Sequence, residues 1–151
     1  MKAKLFLRIP AILMFIHGAG HTIGQSGWKK STDPVQQEVI RQMTGPKFPF
    51  MGRMHSMGEY FDGYSYAGTV GILCFILVLW FVSAELDAGG RLIKKLIATI
   101  AVCLLLWGIV EIIYFFPFAA AITLTSSGCT FIALYLFSTQ YKDVALATQS
   151  L

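Results

Sequence analysis

The chain has 151 residues, of which 56% are hydrophobic and 13% charged, and its mean hydropathy is +0.64. That charged share is about half the usual one for a soluble domain, which excludes a disordered chain and an ordinary water-soluble globule. The net charge of +4 does not point to nucleic acid, because the 12 Lys and Arg stand at segment ends instead of gathering on one face.

Taken in chain order, Lys2, Lys4 and Arg8 precede the apolar run Ile9 to Ile23. A basic start before an apolar stretch resembles a signal peptide. Here His17 and His21 interrupt the run and no clear cleavage site follows, so the segment is read as a retained first helix, about residues 5–24. The loop after it, roughly Gln25 to His55, carries a short helix of its own over about residues 34–44. Asp33 followed by Pro34 marks its start and Gly45 followed by Pro46 its stop. Val35, Val39 and Met43 form a narrow apolar stripe along it, as expected of a helix lying on a membrane surface or capping the bundle.

A second span is expected over about residues 57–83, with Tyr64 to Val82 as its apolar body. The last apolar stretch, Leu96 to about Thr139, would be roughly 65 Å long as one helix, about twice the hydrocarbon thickness. Pro117 in YFFPF must break it, leaving spans over about residues 91–116 and 118–140. The predicted fold is all-α, a single four-helix transmembrane bundle with a short interfacial helix in the first outer loop. Lys2, Lys4, Arg8, Arg91, Lys94, Lys95 and Lys142 on one side outnumber Lys29, Lys30, Arg41, Lys47 and Arg53 on the other, which favours both termini inside. Cys74, Cys103 and Cys129 form no CxxC pair and read as buried thiols acting as small hydrophobes.

Six ionisable groups lie in or beside the spans, where each needs a physical reason: His17, His21, His55, Glu59, Asp62 and Glu111. His17 and His21 are spaced i, i+4, while His55, Glu59 and Asp62 are spaced i, i+4, i+7, so each set shares a helix face. With Glu111 just before the Pro117 turn, three helices bring polar groups towards one end of the bundle. The resulting expectation is a polar pocket holding an ion, a ligand or a reaction.

Several chemistries fit that pocket. His17, His21, His55 and Glu59 could supply N and O donors to a divalent metal ion. Haem b would need His17 or His21 on one side of the iron and His55 on the other. In an acid–base site, Glu111 and His21 would act as catalytic groups on a lipophilic small molecule such as a sterol, quinone or isoprenoid. His17, His55, Glu59 and Asp62 would bind that ligand, and Tyr60, Tyr64, Tyr66, Trp107 and Tyr114 could line the cavity. The same residues could instead form a structural polar network, Glu111 with His17 or His21 and Arg53 with Glu59 or Asp62. The chain would then be an accessory subunit of a larger membrane complex. A proton-coupled transporter would require a homodimer, since four helices are few for alternating access.

The segments GHTIG, MGRMHSMGEYFDGYSYAG and YFFP resemble those of a group of small bacterial four-helix integral membrane proteins with no established activity. That resemblance implies the fold and a bacterial membrane, and brings no function with it.

Overall fold

A computed structural model describes the backbone of residues 2–149 and the side chains of residues 2–140; Lys142, counted above in the charge balance, lies outside the described side chains. The elements are α1 (Lys2–Gly27), α2 (Pro34–Thr44), β1 (Phe48–Phe50), β2 (Arg53–His55), α3 (Met57–Ala84), α4 (Arg91–Tyr114) and α5 (Pro117–Gln149), with 3-10 turns at Trp28–Lys30 and Glu85–Ala88. Among the described residues four segments are long and apolar enough to cross a membrane: Lys2–Lys30, Met57–Ala88, Arg91–Tyr114 and Pro117–Gln140. The expected all-α, four-span fold is therefore what the chain adopts.

The chain forms two compact units. One comprises the residues up to His17 and those from Ile72 onward; the other is Gly18–Gly71. In the first unit all four long helices contribute to one core, with Leu7 and Met14 from α1, Ile72 and Leu79 from α3, Ile97 and Leu104 from α4, and Ala133 and Phe137 from α5. The buried residues of α1 are Ala3, Leu7, Pro10, Ala11, Met14 and His17. Residues three or four apart in this set lie on one side of the helix, a single inward stripe. Those of α4 run through Ile97, Ile100, Ala101, Leu104 and Gly108 to Glu111 in the same way. Side chains on the other faces, such as Phe15, Leu106 and Ile113, are apolar and exposed, as a lipid-facing surface requires.

The breaks come where the sequence places them. Pro117 is the first residue of α5, where its missing N–H costs nothing, and only Phe115 and Phe116 separate it from α4. Gly89 and Gly90 take φ of 66° and 100° between α3 and α4, a left-handed turn open to glycine. The cysteine expectation is corrected: Cys74 and Cys103 are exposed and Cys129 is half-buried, because they fall on outward faces of their helices.

The second unit holds α2 and a hairpin that the sequence reading did not anticipate. Asp33 caps α2 as expected, its Oδ1 accepting the Gln36 N–H at 2.9 Å. Gly45 ends the helix in a right-handed conformation, with its N–H on the Arg41 carbonyl at 2.9 Å. Strands β1 and β2 then pair antiparallel, Phe48 with His55, Pro49 with Met54 and Phe50 with Arg53. Met51 and Gly52 make the two-residue turn with φ of 46° and 84°, the doubly positive geometry that matches strand twist in tight hairpins.

Candidate functional site: a buried imidazole–carboxyl pair

In the first unit, the inward stripes of α1 and α4 each end in a polar residue, and these two meet. His17 is 8% exposed and Glu111 3%. His17 Nε2 lies 3.3 Å from Glu111 Oε1. On the other side of the ring, His17 Nδ1 lies 3.1 Å from Thr123 Oγ1 of α5. Three helices thus place a carboxyl, an imidazole and a hydroxyl in one chain of contacts. Glu111 Oε2 is buried and has no hydrogen-bond partner among the described residues. Both ring nitrogens of His17 are engaged, so the ring is held in position and linked to a group on either side.

Thr123 was not among the candidate residues. It opens a buried hydroxyl stripe on α5, Thr123, Ser126, Ser127 and Thr130. The i, i+3, i+4, i+7 spacing of those four was legible in the sequence as a polar helix face. Ser127 Oγ donates to the Ala101 carbonyl of α4 at 2.8 Å. Ser126 and Thr130 donate to the carbonyls of Ile122 and Ser126, one turn back on α5. Nearby, α4 and α5 approach closely at Gly108. A Cβ there would lie 2.6 Å from Leu124 Cδ2.

The remaining candidates belong to the second unit, where each has its own partner. His21 Nε2 is 3.0 Å from the Ser65 carbonyl. That oxygen can only accept, so Nε2 carries the proton. Gly68 leaves room for this ring, since a Cβ there would stand 3.3 Å from His21 Nε2. Asp62 accepts from Trp28 Nε1 at 2.8 Å and from Lys29 Nζ at 2.6 Å. Glu59 caps α3 by accepting the Ser56 N–H at 2.8 Å, while Ser56 Oγ accepts the Glu59 N–H at 3.2 Å, a reciprocal capping box. Lys47 Nζ and His55 Nδ1 lie 3.4 Å and 3.5 Å from the Glu59 carboxylate.

These contacts give the pairings across elements. Glu111 pairs with His17, and His21 binds backbone instead. The cations opposite Glu59 and Asp62 are Lys47 and Lys29, where Arg53 had been expected. Among the described residues no three His, Cys, Asp or Glu side chains converge on a point that could hold a metal ion.

The chain matches no family model, no curated protein and no solved structure. Fold and site together define a class: an all-α integral membrane protein with an imidazole–carboxyl pair inside its helical core.

Proposed function

We propose that this is an integral protein of a bacterial cytoplasmic membrane, with both termini inside, whose working centre is a proton-exchanging site formed by His17, Glu111 and Thr123. The observation that carries the reading is Glu111 itself. One oxygen lies against His17, while the other is buried with no hydrogen-bond partner among the described residues. A carboxyl group with one committed and one open oxygen can take up a proton, or accept the hydroxyl of a small lipophilic ligand.

The ring supports two proton arrangements. In one, His17 Nε2–H donates to the Glu111 carboxylate and Nδ1 accepts from the Thr123 hydroxyl. In the other, the Glu111 carboxyl O–H donates to Nε2 and Nδ1–H donates to Thr123 Oγ1. The second arrangement holds one proton more than the first, so passing between them is the uptake or release of one proton by the site, with the ring changing tautomer. Imidazole suits this role because it donates from one nitrogen while accepting at the other. Burial strengthens each of these contacts, because little water competes for them.

The test is proton uptake by the protein reconstituted in vesicles, followed with a pH-sensitive dye after a pH jump. Glu111→Gln and His17→Gln should each remove a proton-uptake step while leaving helix content and melting temperature close to those of the parent. Organic extracts of the purified protein should lose any copurifying lipophile in the same variants. Unchanged uptake together with a lowered melting temperature would sink the reading and leave the pair a structural clamp.

A second reading, an accessory subunit of a larger membrane complex, is supported by a concavity of about 240 Å³ lined by Trp28, Val35, Gln36, Val39, Ile40 and Met43. Under that reading Val39→Asp would strip the chain from its complex without altering proton uptake.

A further inference from the structure

The β1–β2 hairpin presents an apolar surface that none of the contacts above uses. Met51 at its turn is 91% exposed, and Phe50, Met54 and Met57 are more than half exposed. In an ordinary water-filled loop such exposure is unfavourable, and exposed apolar side chains gathered in one short segment fit a surface that meets an apolar phase or a partner. The hairpin is not a free arm. Phe48 stacks on Tyr60 at 6.0 Å between ring centroids, while Phe50 and His55 meet the same ring edge-on at 5.8 Å and 5.4 Å. Tyr60 in turn stacks on the exposed Tyr64 at 6.5 Å. Tyr60 and Tyr64 stand in the first two turns of α3, at the beginning of the span Met57–Ala88. The hairpin is therefore fastened to the end of a membrane-crossing helix, beside tyrosines of the kind that occupy the headgroup level.

The charges point the same way. Residues 45–58 contain Lys47 and Arg53 and no acidic residue. Lys47 reaches back to Glu59, and Arg53 stands opposite Phe50 in the hairpin register. Apolar tips flanked by basic residues fit a leaflet that offers hydrocarbon next to anionic phosphate.

We propose that the hairpin is a membrane-interface anchor: Phe50, Met51, Met54 and Met57 insert at the headgroup–acyl boundary of the adjacent leaflet, with Arg53 facing lipid phosphate. This stands independently of the His17–Glu111 reading.

The test uses the full chain with Cys74, Cys103 and Cys129 changed to serine and a single environment-sensitive dye attached through Met51→Cys or, separately, Met54→Cys. The protein is reconstituted in phosphatidylcholine vesicles with and without phosphatidylglycerol. At both positions the dye emission should shift to the blue. Nitroxide carried near the headgroup should quench it several-fold more than nitroxide at the chain end, and aqueous iodide should quench it several-fold less than the dye on free cysteine. Phosphatidylglycerol should deepen the insertion, and Arg53→Gln should abolish that response. Water-like emission with full iodide quenching at both positions would overturn the proposal. So would protection from iodide and from both lipid nitroxides, the signature of a protein partner or of a second copy of the chain.

Discussion

Glu111 Oε1 and His17 Nε2 lie 3.3 Å apart where the inward stripes of α4 and α1 run out, and Thr123 holds the far side of the ring at 3.1 Å. Removing one partner of a buried pair leaves the other unsatisfied, at a cost of roughly 3–5 kcal/mol. An amide in place of the carboxyl keeps a hydrogen bond, and interhelical hydrogen bonds in membranes are worth only about 0.6 kcal/mol on average. His17→Ala should therefore lower stability in detergent by about 3 kcal/mol, and Glu111→Gln by about 1 kcal/mol or less. The double variant should lose less than the sum. Additive losses in thermal unfolding would show that the two groups do not interact.

Gly68 and Gly24 make a matched pair for testing the His21 contact. A methyl on Gly68 would meet His21 Nε2 at 3.3 Å, whereas one on Gly24 meets nothing within 4 Å. Gly68→Ala should push the ring off the Ser65 carbonyl, costing about 1 kcal/mol for the lost hydrogen bond. Gly24→Ala should be neutral, or stabilising by about 0.5–1 kcal/mol through helix propensity. Nitrogen NMR of the imidazoles would report it, with the His21 Nε2–H signal changing in the first variant and not in the second.

Helices α4 and α5 approach closely at a glycine. Gly108→Ala would place Cβ 2.6 Å from Leu124 Cδ2 and 2.8 Å from its Cγ, so Leu124 must move. Overpacking of this kind costs about 1–3 kcal/mol. Leu124→Ala should relieve it, giving a favourable coupling of about 1 kcal/mol in the double variant. Unfolding in a denaturing detergent titration measures each variant, and a coupling of zero would mean that the two helices do not approach here.

On α2 the Glu38 carboxylate accepts from Arg41 at 2.6 and 2.8 Å and from Gln42 at 2.8 Å. The Arg41 guanidinium, followed by the Gln42 amide, holds the carboxyl down from its ordinary 4.5 to about 2. A lowered folded-state value means that the pair supports the helix above the usual carboxylate range and loses that support as pH falls through about 2. The Glu38 side-chain carbon signal should titrate late in NMR and return towards 4.5 in Arg41→Ala. Because the pair is solvent-exposed, the effect on global stability should be small.

What the sequence determined by itself was local or compositional. Four spans follow from the length of apolar runs, and the break at Pro117 follows from a residue that cannot continue a helix. Asp33 and Pro34 announced α2 because capping depends on neighbours a few residues away. That His17, Glu59 and Glu111 need polar partners was also legible, since an ionisable group in an apolar stretch demands one. The partners themselves were not. His17 and His21 are equivalent by spacing, and only the way α1 packs on α4 and α5 turned His17 to Glu111 and Thr123, while His21 met Ser65 over Gly68. Lys47 and Lys29, distant in sequence from Glu59 and Asp62, displaced the nearer Arg53 because the hairpin and the Trp28–Lys30 turn bring them to α3. Pairings across elements are set by axial offset and rotation of a fraction of a helical turn. Periodicity along one segment carries no record of those quantities, so only the tertiary structure could decide them.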